Sequence, residues 1–262
     1  MSSEKKILSH LQREEDIKLG ERILDLAERV QERNNKHTTK FLNPRETKIA
    51  EEILAQLADI NYLSEGGHDK AERKRVIIFP AYLFPEHQNV PLSCFKIKGN
   101  FDFVNVGHGD FLGALTGLGI KRELIGDIII YRDTAQVVAV PEAEKEILFN
   151  LEKVNEVPVE VEKMECDEII FEEKHRKEIK TSVASQRLDA ILSAGFGDSR
   201  SNSKAAIEEG RIKLNWVREK NPAAEVSVGD LISVKGRGRL KVVKKRGISN
   251  SGRIKLQIDR IT

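Results

Sequence analysis

The sequence predicts an α+β protein built of three units in a row. Three observations carry that prediction: amphipathic stripes of helical period before residue 63, a βαββαβ succession between residues 101 and 161, and a basic helix–helix–strand module after residue 182. A chain of 262 residues with 39% hydrophobic and 33% charged side chains suits two or three modest cores under a wetted surface. No apolar run approaches the roughly 20 residues that cross a bilayer. The opening Met1-Ser2-Ser3-Glu4-Lys5-Lys6 has no apolar signal core, so a cytoplasmic protein with no membrane partner is expected.

Residues 5–34 read as the first helix, with Ile23, Leu26, Ala27 and Val30 at i, i+3, i+4 and i+7. The second starts at Asn43-Pro44-Arg45-Glu46. There Asn43 can cap, Pro44 suits the first helical position and Glu46 stands where a capping-box acid belongs. Ile49, Ile53 and Leu57 line its buried side, and Ser64-Glu65-Gly66-Gly67 closes this helical region, bounded at 1–72, whose expected role is packing or docking. The middle domain, 73–165, opens with the apolar run Val76–Phe79, stopped by Pro80. Cys94–Lys98 and Phe101–Val106 flank Gly99-Asn100 as an expected hairpin, and a helix covers 110–125. Ile128–Tyr131 and Gln136–Val140 form a second hairpin, Pro141 opens a helix, and Val157–Val161 alternates like a last strand. From residue 101 the order is βαββαβ, the ferredoxin-like arrangement that RNA-recognition domains share with many unrelated ones.

The stretch "GHGDFLGALTGLG", 107–119, invites a phosphate-loop reading. A dinucleotide loop fails because Leu112 stands at the third glycine position, and a Walker-type loop fails because Gly119 is followed by Ile120. A helix capped by Asp110 fits better, with Phe111, Ala114, Leu115 and Leu118 buried, Gly119 as its stop, and Gly113 and Gly117 giving a flat surface for packing against the sheet. Cys94 and Cys166, without a CxxC, read as buried or surface thiols in a reducing compartment, and six scattered histidines offer no zinc site. No cofactor, no metal and no catalytic residue are expected.

The formal net charge of +2 hides a division. Residues 180–262 hold 18 Lys+Arg against 8 Asp+Glu, a balance of +10, whereas residues 1–179 hold 26 against 34, a balance of −8. The acids concentrate in 141–173, and 166–181 reads as a charged linker. A basic module from 182 to 262 points to a polyanion partner.

In "QRLDAILSAGFGDSRSNSKAAIEEGRIKLNW", 186–216, Leu188, Ile191 and Leu192 face a core on a first helix that Gly195 and Gly197 end. Ser199 caps a second helix in which Ser203, Ala206 and Ile207 turn inward, leaving Arg200 and Lys204 on the outer face with Ser201 beside them. A helix N-terminus ringed by cations favours phosphate. Arg187 adds to that face, Arg211 and Lys213 flank the following turn, and Arg237 and Arg239 lie at the tip of "KGRGRLKVVKKR", 235–246. Such a surface matches double-helical RNA, read by shape and backbone. Trp216 can stack on a base or pack over the C-terminal strands, and Asn215 reads as a turn-stabilising side chain.

Arg187-Leu188-Asp189, Ser199-Arg200, Gly210-Arg211-Ile212-Lys213-Leu214-Asn215 and Gly229-Asp230-Leu231-Ile232-Ser233-Val234 resemble, in order and spacing, the RNA-binding αL domain named after small-subunit ribosomal protein S-four. Trp216, where many members carry Gly, and "FLGALTGLGIKRELIGDI", 111–128, make the whole chain similar to the YlmH family, which includes the photosystem II S-four domain protein group. The resemblance implies a non-enzymatic RNA-binding protein that acts as a monomer on the large ribosomal subunit. Its partners there are structured rRNA and also tRNA, in the rescue of stalled nascent chains. Two alternatives stand beside it: an RNA-modifying enzyme or accessory factor delivered by its C-terminal domain, and a protein adaptor docking through the N-terminal helices and the acidic stretch. Pseudouridine synthases, tyrosyl-tRNA synthetase and a methyltransferase family also carry S-four domains. No synthetase signature or adenosylmethionine loop is present, and Asp189 lies inside the RNA-binding helix itself.

Overall fold

The computed structural model describes residues 6–101, 104, 106–171 and 176–261. It divides into two compact units, Met1–Glu172 and Glu173–Thr262.

The first unit begins with a 3-10 turn at Leu8–His10 and helix α1, Glu14–Arg33, which buries Leu19, Ile23, Ala27 and Val30 along one stripe. Each large aliphatic residue so buried stabilises by about 1.5–3 kcal/mol. Helix α2, Pro44–Leu54, has its full capping box. The Asn43 side chain accepts from the N–H groups of Arg45 and Glu46, and the Glu46 carboxylate accepts from the Asn43 N–H at 2.8 Å. Both helices pack on a three-stranded sheet of β1, His37–Thr38, β2, Ile60–Glu65, and β3, Arg75–Pro80, in the order β1-β3-β2. The run Val76–Phe79 therefore belongs to the N-terminal sheet and not to the middle domain. Val76 and Ile78 join the helical core, while Ile77 and Phe79 pack with Val90 on the other side. A strand buried on both faces has no alternation to reveal which core claims it.

The middle sheet holds β4, Ser93–Gly99, β5, Ile125–Tyr131, β6, Thr134–Ala139, β7, Lys153–Val154, and β8, Val157–Met164, in the order β5-β6-β4-β8-β7. Helices α3, His108–Gly117, and α4, Glu144–Asn150, complete a βαββαβ unit whose four principal strands are β4, β5, β6 and β8. The ferredoxin-like arrangement is present, with its first strand at Ser93–Gly99 instead of Phe101–Val106. Both edges of β4 are occupied, by β6 and β8, which leaves this strand no free edge for the expected hairpin. Phe101, Val104 and Val106 lie outside any strand, and positions 102, 103 and 105 fall outside the described residues.

Two further expectations need correction here. Cys94 and Cys166 are joined in a disulfide instead of standing as separate thiols. Antiparallel pairing sets Cys94 opposite Met164, and two residues further on the chain returns Cys166 to the same place, with the Cα atoms 5.3 Å apart. The glycines of α3 do not pack on the sheet either. A Cβ on Gly113 or Gly117 would meet nothing within 4 Å, because Phe111 and Leu115 form the buried side and the glycines face away. Asp110 acts from the third helical position, its carboxylate accepting from the Gly107 N–H at 2.8 Å.

The second unit has one six-stranded antiparallel sheet: β9, Arg176–Val183, β10, Ile212–Leu214, β11, Val217–Glu219, β12, Leu231–Val234, β13, Gly238–Ile248, and β14, Ile254–Ile261. Their order is β11-β10-β12-β13-β14-β9. Most of β9 lies in the stretch read as a linker; it pairs along its whole length with β14, residue for residue. Helices α5, Leu188–Phe196, and α6, Arg200–Glu208, share a core with one face of the sheet through Leu188, Ile191, Leu192 and Ile207. Gly195 lies inside α5 and does not end it. A Cβ there would run into Leu240, so the missing side chain lets the helix approach β13, and Gly197 at φ 74° makes the stop.

Candidate nucleic-acid interface

The helix side of the second unit is organised by a buried carboxylate. Asp189, in the first turn of α5, is 5% exposed. It accepts two hydrogen bonds from Arg187, from Nε and Nη2 at 3.2 Å each, and one from Arg200 Nη2 at 2.8 Å. Burial pushes the Asp189 carboxyl up, but the hydrogen bonds and charges of Arg187 and Arg200 outweigh it and hold the group below its ordinary value. Both guanidiniums stay half in solvent, with side-chain exposures of 44% and 55%. One buried acid thus fixes the direction of two arginines and leaves their remaining donors available.

Beside them is the start of α6. Ser199 caps the helix by accepting from the Asn202 N–H at 3.1 Å, and its hydroxyl lies 2.9 Å from that of Ser201. The residue before the cap, Asp198, forms an ion pair with Arg237 from the turn between β12 and β13. That hydrogen bond draws the Asp198 carboxyl down and the Arg237 guanidinium up. Arg237 lies over the Phe196 ring at 4.6 Å and Arg260 over the same ring at 4.9 Å.

The structure therefore brings together Arg187, Ser199, Arg200, Ser201 and Arg237, and leaves the other candidates apart. Lys204 is further along α6, exposed, and 3.7 Å from Glu208. Arg211, past the helix end, is paired with Glu209. Lys213 and Arg239 belong to strands, on the sheet face turned away from the helices. Trp216 sits half-buried in the two-residue turn between β10 and β11, where Asn215 and Trp216 have φ of 49° and 66°. This is the turn that favours glycine at its second position. Asn215 stabilises that turn as expected, donating to Asp230 at 2.8 Å and accepting from the Leu231 N–H at 2.9 Å. Sequence reasoning missed that Asp189 holds Arg200 as well as Arg187, and missed Asp198, Phe196 and Arg260 as parts of the site. The available signal was an acid two residues after Arg187 and another just before the Ser199 cap.

No cluster of potential metal ligands occurs among the described residues, and no helix among them is long and apolar enough to cross a membrane. Family models match three consecutive segments: the N-terminal region of YlmH at residues 12–83, a domain named for RNA binding in YlmH at 85–168, and the S4 domain at 186–232. A curated protein of Bacillus subtilis (strain 168), "Ribosome-associated protein quality control protein P2", is 32% identical over 231 residues, covering 88% of this chain and 90% of that protein. The chain belongs to the YlmH family. A solved structure of the same family, "Cell division protein ylmH from Streptococcus pneumoniae", matches with a TM-score of 0.53 at 27% identity, over 61% of this chain and 97% of that one. The family assignment made from residues 111–128 and 186–234 is borne out, and with it the S4 domain that places Asp189, Ser199 and Arg200 in this YlmH-family chain.

Proposed function

We propose that this protein is a non-enzymatic RNA-binding factor of ribosome-associated quality control. It works in the cytoplasm as a monomer and holds structured rRNA, and tRNA with it, on the large ribosomal subunit through the helix side of its S4 domain. The observation that carries the reading is the pair of half-exposed arginines, Arg187 and Arg200, locked by buried Asp189 beside the Ser199-capped start of α6. Pre-oriented guanidiniums next to unpaired helix N–H groups present a rigid donor set to phosphate oxygens, so little side-chain entropy is lost on binding. The Bacillus subtilis relative, named for ribosome-associated quality control, supplies the ribosomal context.

The test is sedimentation of the full chain with ribosomal subunits at low and high salt, with sequencing of crosslinked RNA. Salt-sensitive comigration with the large subunit is expected, and the Arg200→Glu/Lys204→Glu variant should lose most of it with unchanged circular dichroism. Retained binding by that folded variant would sink the helix-side interface.

A further inference from the structure

The sheet of the second unit has a second face, which the helices leave open. Ile212, Ile232, Leu240, Val242, Leu256 and Ile258 enter the core beneath α5 and α6. The residues between them on the strands point the other way. Register sets those in rows: Lys213 opposite Ser233, and Ser233 opposite Arg239; Lys241 opposite Asp259; Lys244 opposite Gln257, and Gln257 opposite Lys180; Lys255 opposite Ser182. The face thus carries Lys213, Arg218, Arg239, Lys241, Lys244, Lys255, Lys180 and Arg176, with Arg246 reaching Gln257 from the β13 bulge, against the carboxylates Asp259 and Glu178. Glu178 is already engaged by Lys180 at 3.2 Å and Arg246 at 3.6 Å.

Neighbouring strands are about 4.8 Å apart and same-face residues about 6.8 Å apart along a strand. Cations on such a two-dimensional grid complement a polyanion whose charges are themselves spread over a surface. The strand residues described on this face include no aromatic ring on which an unpaired base could stack. Charge without stacking fits the phosphate backbone of a double helix. We propose that this open face is a second RNA surface, on the opposite side of the sheet from the Asp189 cluster, and that it takes the backbone of double-helical RNA. The inference rests on the RNA-binding reading above and deepens it. It also accounts for Lys213 and Arg239, which the sequence grouped with the helix residues and the sheet separates from them.

The experiment uses the full chain, a fluorescein-labelled RNA hairpin, single-stranded poly-uridine as comparator, and a salt titration. The Lys213→Glu/Lys241→Glu/Lys244→Glu variant should bind the hairpin at least about tenfold more weakly, with a log–log salt slope shallower by about 2. Its losses should multiply with those of Arg200→Glu/Lys204→Glu when the two sets are combined, since the faces act separately. If charge reversal unfolds the chain, Lys→Gln at the same three positions reads the same slope. Unchanged hairpin affinity in the open-face variant, with loss in the helix-side variant, overturns this inference alone. Unchanged affinity in both overturns the RNA-binding reading as well. Loss of poly-uridine binding with the hairpin retained overturns the duplex assignment. Hairpin binding retained while comigration with ribosomal subunits is lost replaces RNA by an acidic protein partner on this face.

Discussion

In the first unit the guanidinium groups of Arg73, Arg75 and Arg122 turn inward onto backbone carbonyls, whereas in the second those of Arg187, Arg200 and Arg237 turn outward and are held from behind by carboxylates. Arg73 donates to the Ile125 carbonyl at 3.1 Å and the Phe41 carbonyl at 2.9 Å, so one side chain ties the N-terminal segment to β5. Arg75 donates to the Thr39 carbonyl at 2.8 Å and Arg122 to that of Gly126 at 3.2 Å. Burial, with Arg73 close by, brings Arg122 down to about 10, which still leaves it charged at neutral pH. Asp127 balances this group. It accepts from the N–H groups of Glu72 at 2.7 Å and Arg73 at 3.2 Å, and lies 3.4 Å from His68 Nε2. A guanidinium whose donors are consumed by carbonyls is structural; one pinned at one or two donors by a carboxylate, with the rest in water, is available to a ligand. The acceptor behind the arginine, not the arginine itself, separates the two uses.

Breaking the first unit should cost stability and spare RNA affinity. The Cys94–Cys166 bridge closes a sequence separation of 72 residues, so Cys94→Ser/Cys166→Ser is expected to destabilise the first unit by about 4 kcal/mol in the chain-entropy account. Urea unfolding of the variant, and of the parent chain with and without dithiothreitol, measures it; an unchanged midpoint in both would contradict a structural bridge. Arg73→Ala, which removes the side-chain donor to the Phe41 carbonyl and one of the two guanidinium donors to the Ile125 carbonyl, should cost about 2 kcal/mol. Arg73→Lys should recover only part of it, because an ammonium does not span both acceptors. Hairpin affinity should stay at the parental value in all of these variants.

Breaking the second unit's device should do the reverse. Asp189→Asn should lower hairpin affinity about tenfold by releasing both arginines, at a stability cost of about 1–2 kcal/mol. Because the folded carboxyl titrates below its ordinary value, its stabilisation is present above the unfolded carboxyl's pKa and is lost as pH falls through the folded one. The stabilities of parent and variant should therefore differ at neutral pH and converge in acid, and unfolding curves at a series of pH values would show a constant gap if the linkage were absent. The smallest effect is expected at the turn. Trp216→Gly relieves a left-handed backbone position and should raise the second unit's stability by about 0.5 kcal/mol, read as a small rise in Tm.

The sequence by itself determined whatever is local. The α2 capping box, the Ser199 cap, the Gly197 and Gly119 stops and the Asn215 turn all depend on residues within a few positions of one another or within one recurring motif, and each is where the residues placed it. The basic second unit was legible for the same reason, since charge is read without knowing the fold. The tertiary structure decided what depends on strand partners. Which sheet claims Val76–Phe79, that Ser93–Gly99 and not Phe101–Val106 opens the middle fold, and that Cys94 meets Cys166 all follow from β3, β4 and β8 finding neighbours distant in sequence. The same holds for the site. Asp189 and Arg200 are eleven residues apart, and Arg237 reaches Asp198 across thirty-nine, so no period of 2 or 3.6 residues registers either contact. Lys213 and Arg239, near the helix cluster in the sequence argument, fall on the opposite face because alternation along β10 and β13 sends their neighbours Ile212 and Leu240 inward.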